Sequence, residues 1–147
     1  MKIYLDLCCL NRPFDDQAQA RVALESQAVL LILEKIDRSE HVLCNSAALV
    51  VENSLSPKLQ ARLQIEALLD QAGIWIAHDT RIEKRATQLR GWRFSDFDAY
   101  HLAAAESAAC DRLVTCDDRF LKAARRNAAR IHLAVTDPVR LISEAAF

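Results

Sequence analysis

The sequence predicts an α/β fold, a three-layer α/β/α sandwich around a mainly parallel sheet of about five strands. Three observations carry that prediction. Short, β-prone apolar segments alternate along the chain with longer segments whose apolar residues recur at helical spacing. Only two glycines and three prolines occur in 147 residues, so long loops are not expected and helices should dominate. No repeat or low-complexity stretch divides the chain, and its length suits one domain over residues 1–147.

Each element has its own signal. Residues 2–9 are apolar and β-prone and read as a buried first strand. Asn11 to Asp16 reads as a turn, with Asp15 or Asp16 capping a helix from Gln17 to about Arg38. The stripe of that helix is Val22, Val29, Ile32, Leu33 and Ile36. His41 to Asn45 is a second strand, after which Ser46 caps a short helix through Glu52 that ends before Ser56-Pro57. Lys58 to Ala72 is helical and Gly73 stops it. Ile74 to Ala77 is a third strand that places Trp75 in the core, and Asp79 or Thr80 caps a helix closed by Gly91. Ser95 and Asp98 have the spacing of a capping box at the start of the alanine-rich helix Asp98–Ala109. Arg112 to Cys116 is a fourth strand ending on Asp117-Asp118, followed by a basic helix from Arg119 to about Ala129. Ile131 to Val135 is a fifth strand, and Asp137-Pro138 opens a final helix.

Composition narrows the class. No apolar run is long enough to span a bilayer, and the chain begins on a strand rather than a signal-like segment, so a cytoplasmic protein is expected. Five cysteines (8, 9, 44, 110 and 116) are an odd number with no C-x-x-C pair, which fits reduced thiols better than a disulfide framework. The net charge of −1 hides two basic segments. Arg81, Lys84, Arg85, Arg90 and Arg93 face Glu83 alone, and Arg119, Lys122, Arg125, Arg126 and Arg130 face no acid within residues 119–130. Such runs are either solvated helix faces or a rim that holds phosphates.

The acids suggest chemistry. In parallel sheets ligands bind beyond the carboxyl ends of the strands. Asp6 and Asp117 stand at two such ends, Asp98 opens a helix, and Glu52 follows the second strand. Packed carboxylates repel unless a cation neutralises them, and hard oxygen donors suit Mg²⁺ or Mn²⁺. Taken singly, each acid reads first as a turn or cap residue, and the local wording around them is what favours chemistry.

The wording around these acids resembles the successive motifs of a PIN domain. The matching pieces are Ile3-Tyr4-Leu5-Asp6, Val51-Glu52, Asp98-Ala99-Tyr100-His101-Leu102-Ala103-Ala104-Ala105 and Leu113-Val114-Thr115-Cys116-Asp117, spanning Lys2 to about Asp137. The resemblance implies a divalent-metal-dependent ribonuclease that uses Mg²⁺ or Mn²⁺ held by Asp6, Glu52, Asp98 and Asp117. It also implies the toxin of a toxin–antitoxin pair, with an antitoxin protein as partner, and a homodimer. Asp96 competes with Asp98 and Asp118 with Asp117. Where many PIN domains place Ser or Thr just after the first Asp, this chain has Leu7-Cys8-Cys9.

Around this centre, Arg12, Arg119, Lys122 and Arg126 are the candidates for holding RNA; the last three share one helical face beginning just after Asp117. His101, one turn after Asp98, reads as a partly buried structural histidine or as a group that orients a carboxylate. The competing readings are weaker. A non-catalytic PIN-like module that binds RNA or protein has no use for a repulsive acid cluster. A phosphotransfer domain expects D-x-D, and residues 6–9 read Asp-Leu-Cys-Cys.

Overall fold

The computed structural model describes residues Met1–Phe147. Its centre is a five-stranded sheet in the order β3-β2-β1-β4-β5, and every neighbouring pair is parallel. The strands are β1 Lys2–Leu5, β2 Val42–Ser46, β3 Ile74–Ile76, β4 Arg112–Val114 and β5 Ala134–Thr136. Between them lie α1 Leu7–Asn11, α2 Ala20–Asp37, α3 Ala47–Ser54, α4 Leu59–Leu69, α5 Thr80–Gly91, α6 Asp96–Ser107 and α7 Asp118–Arg126; α8 Pro138–Ile142 follows β5. Parallel strands joined through helices make an α/β fold, as expected of the sequence.

The strand order follows from burial. In β1, the central strand, Ile3, Tyr4 and Leu5 are fully buried, as an unbroken apolar run covered on both faces should be. From β1 the chain steps outward to β2 and β3, then crosses back to β4 and continues to β5. The direction of winding therefore reverses between β1 and β4, and the crevice beyond their carboxyl ends is the place where such sheets bind ligands.

Caps set most helix starts. Ser46, Asp79, Ser95 and Asp137 each accept a backbone N–H of the helix they precede, from Leu49, Ile82, Asp98 and Arg140 respectively. Three expectations need correction. The first strand stops at Leu5, because the Asp6 carboxylate accepts the Leu7 N–H at 2.7 Å and starts α1 within the apolar run. Helix α2 begins at Ala20 rather than Gln17, since Asp16 spends its side chain on the Ala18 N–H in a turn. Trp75 is 58% exposed rather than core, because β3 is an edge strand with one face open.

Glycine matters at Gly73 through close approach: a Cβ there would stand 2.9 Å from Val42 Cγ1. The left-handed residue that turns α5 toward α6 is Arg93 (φ 70°), two positions beyond the expected Gly91.

Candidate metal centre

Asp6 stands at the winding reversal, one residue past β1. It is 5% exposed and every contact fixes its rotamer. One oxygen, Oδ1, accepts the Leu7 N–H, while Oδ2 accepts the Thr115 hydroxyl at 2.7 Å and the Cys8 thiol at 3.2 Å. Thr115 Oγ1 in turn accepts the Asp117 N–H at 3.1 Å, so one hydroxyl joins the acid after β1 to the acid after β4. The remaining geometry of Asp117 comes from capping α7, where Oδ1 accepts the N–H groups of Arg119 and Phe120. Its Oδ2 takes no protein donor.

Asp98 arrives from the first turn of α6 and is close enough to Asp6 and Asp117 for their charges to act on it. Glu52 comes from α3 and is held by His101, whose Nε2 lies 2.5 Å from Glu52 Oε2 and 3.7 Å from Asp6 Oδ1. Asp6, Glu52 and His101 thus present ligand atoms all within 4.8 Å of one another.

A chain of buried hydroxyls fixes His101 from behind. Its Nδ1 is 2.8 Å from the Tyr4 hydroxyl, which is 2.6 Å from Ser46 Oγ, which accepts the Leu49 N–H at 3.2 Å. With neutral His101 the chain runs one way: Ser46 donates to Tyr4, Tyr4 donates to Nδ1, and the Nε2–H donates to Glu52. Protonated His101 would reverse both hydroxyls and leave the Ser46 proton without an acceptor in this chain. Burial pulls the His101 pKa down, but the bond to Glu52 and the charges of Asp6, Glu52 and Asp98 outweigh it and hold it above its ordinary value.

The acids behave as a cluster short of positive charge. Burial, helped by the neighbouring Cys8, pushes Asp6 up to about 8 against the pull of His101 and Thr115. Asp98 is pushed up to about 6 by burial and by the charges of Asp6 and Asp117, with Ser95 and His101 acting in the opposite sense. The carboxylates place hard oxygens around one crevice, and one oxygen each of Asp117 and Glu52 is free of protein donors. Such a donor set fits Mg²⁺ or Mn²⁺.

The two competing acids lie outside this crevice. Asp118 is exposed and paired twice with Arg21 at 2.8 Å. The Asp96 side chain is 88% exposed, with Arg90 3.9 Å away. Of the candidate RNA contacts, Arg119, Lys122 and Arg126 are exposed on α7 and form no ion pair. Arg12 is committed inside the fold, with Nε on Glu25 at 2.6 Å and Nη1 on Asp15 at 3.1 Å.

Three site residues were invisible, or only half visible, to sequence reasoning. Cys8 touches both Asp6 Oδ2 and the Thr115 hydroxyl, at 3.2 and 3.3 Å. Tyr4 and Ser46 read as a strand residue and a cap; only the pairing of Tyr4 with Cys44 in the β1–β2 register brings them together.

Comparison with known proteins agrees with this architecture. A family model described as PIN domain matches residues 3–126. No curated protein sequence matches the chain. Among solved structures, it is similar to a chain in the crystal structure of VapBC2 from Rickettsia felis bound to a DNA fragment from their promoter. The TM-score is 0.57 at 16% sequence identity, covering 93% of this chain and 98% of that one, a likeness of fold.

Proposed function

The chain belongs to the PIN-domain family, and from that premise we propose that it hydrolyses RNA phosphodiester bonds at a divalent-metal centre held by Asp6, Glu52, Asp98 and Asp117. The observation that carries this reading is the gathering of carboxylates from separate segments at the winding reversal of the sheet, with Asp6 and Asp98 both pushed toward protonation. A cation bound there supplies an activated water and stabilises the oxygens attacking and leaving phosphorus.

The protein's own residues prepare the centre. Thr115 locks Asp6 and Asp117 relative to each other. His101 orients Glu52 and can take up a proton beside it, being raised above its ordinary value. Arg119, Lys122 and Arg126 have no carboxylate to satisfy and so are available to phosphates, whereas Arg12 supports the shell through Glu25 and Asp15.

The similarity in fold to the VapBC2 chain supports extending the proposal to a toxin restrained by an antitoxin. Exposed Val51, Leu55, Leu59 and Leu63 on and between α3 and α4 supply apolar surface for such a partner or for a second copy in a homodimer.

The test is cleavage of a panel of single-stranded and structured RNAs with Mn²⁺, with Mg²⁺ and with EDTA. Asp98→Asn should lower the rate about 100-fold or more, since a ligand carboxylate contributes several kcal/mol of charge stabilisation. Equal cleavage by wild type, Asp98→Asn and Asp6→Asn would refute the site, and no metal-dependent cleavage of any RNA would refute the activity.

A further inference from the structure

Beside Asp6, the fold brings together three thiols that the carboxylate centre does not use as ligands. The Sγ atoms of Cys8, Cys9 and Cys116 all lie within 4.8 Å of one another, and the Cys9–Cys116 separation is 3.5 Å. Sulfurs bound at about 2.3 Å from one metal stand about 3.8 Å apart in a tetrahedron and about 4.0 Å apart in a trigonal plane. The trio therefore already has the dimensions of a thiolate site, built from the first turn of α1 and the segment joining β4 to α7. We infer that Cys8, Cys9 and Cys116 form a three-coordinate site for a thiophilic cation, with cuprous copper as its ligand.

The surroundings select that chemistry. Cys9 and Cys116 are buried, and Cys8 is partly open toward the acidic crevice, which supplies an entry path. Cys8 Sγ already accepts the Cys116 N–H at 3.2 Å, a contact that strengthens when the sulfur is a thiolate. Arg21 donates to the Cys116 carbonyl at 3.3 Å, which fixes the backbone that carries the third thiol. Asp6 touches Cys8 without closing on all three sulfurs, which leaves three donors rather than the four that a structural zinc site takes. Soft thiolates in low coordination number favour Cu⁺. Binding releases thiol protons to solvent and transfers no electron. The fold contains its own control in Cys44 and Cys110, a contact of two sulfurs 3.4 Å apart with no third thiol beside them.

The experiment is an anaerobic titration with Cu⁺ buffered by a chromogenic chelator, following the near-ultraviolet copper–thiolate absorption; it needs no nuclease activity. Wild type should withdraw a single equivalent. Cys8→Ser, at a half-buried position that keeps a polar contact to Asp6, should weaken binding at least about tenfold. Cys116→Ser should do the same, and Cys44→Ala should bind like wild type. Circular dichroism establishes that each variant is folded. Failure of wild type to compete with the chelator, wild-type affinity in folded Cys8→Ser, loss of binding only in Cys44→Ala, or tighter binding of Zn²⁺ than of Cu⁺ would each overturn the assignment.

Discussion

Neutralising Asp6 should stabilise the metal-free protein, against the usual expectation for a buried, hydrogen-bonded residue. Its carboxyl is raised from an ordinary 3.8 to about 8, chiefly by burial. A carboxyl that binds its proton more tightly in the folded state contributes stability that is complete below its unfolded value. That stability is lost as pH rises through the folded value. At about 1.4 kcal/mol per pH unit, a rise from 3.8 to about 8 corresponds to at most about 6 kcal/mol for ionising this group in the fold, and relaxation of the site reduces that to about 2–4 kcal/mol.

In Asp6→Asn the amide oxygen can still accept the Leu7 N–H and keep the α1 cap, while the amide nitrogen faces the Thr115 hydroxyl, which can turn to accept. The cost of that exchange is about 1 kcal/mol. The net expectation is a gain of about 1–3 kcal/mol for the variant at pH 8 in EDTA, shrinking toward zero or reversing by pH 4. Asp98 and His101 also bind protons more tightly than usual, so wild type should lose stability throughout pH 4–8, with the upper half of that window the most reduced in the variant. Urea denaturation at stepped pH reads this directly. Mn²⁺ should restore the stability of wild type and not that of Asp6→Asn. An Asp6→Asn protein less stable than wild type at pH 8 in EDTA, or one with an unchanged pH profile, would refute the reasoning.

Thr115→Val removes the hydroxyl shared by Asp6 and Asp117 and leaves a part-buried N–H unpaired. It should cost about 1–3 kcal/mol in denaturation and about 10–100-fold in Mn²⁺ affinity; unchanged values would remove Thr115 from the centre. Alanine at Arg119, Lys122 and Arg126 together should reduce the slope of log K for RNA against log salt by up to about 2, at about 0.7 per phosphate contact. Metal affinity, read by calorimetry, should be unaffected, and an unchanged slope would take α7 out of the RNA path. Gly73→Ala forces a Cβ to within 2.9 Å of Val42 Cγ1 and should destabilise by about 1 kcal/mol or more in the same urea assay; a neutral result would mean that the β2–β3 edge gives way freely.

The fold was legible where local chemistry decides it. Alternating short strands and helices specified a parallel sheet, and Ser46, Asp79, Ser95 and Asp137 announced helix starts that their side chains do cap. Residues 2–9 read as one strand because such a segment looks the same whether it is a buried strand or a strand followed by a helix turn. Only the Asp6 cap divides it. Trp75 could not be placed because exposure depends on strand order, which a sequence without partners does not reveal. Motif wording favours Asp98 over Asp96, but that Asp96 and Asp118 stand exposed beside arginines is visible only in the structure. The Thr115 bridge, the Ser46–Tyr4–His101 chain and the thiol trio each join residues far apart in the chain and exist only through the β1–β2 and β1–β4 pairings.

The position of β1 between β2 and β4 also has a consequence for the making of the protein. A chain leaves the ribosome amino end first, so Asp6 emerges well before Thr115 and Asp117, which complete its surroundings and lie more than a hundred residues further along the chain. Until β4 inserts beside β1, the crevice has one wall. A fragment released by premature termination would carry Asp6 and Glu52 without the strand that assembles them. The sheet order thus postpones the assembly of this crevice until β4 has been made, long after Asp6 itself.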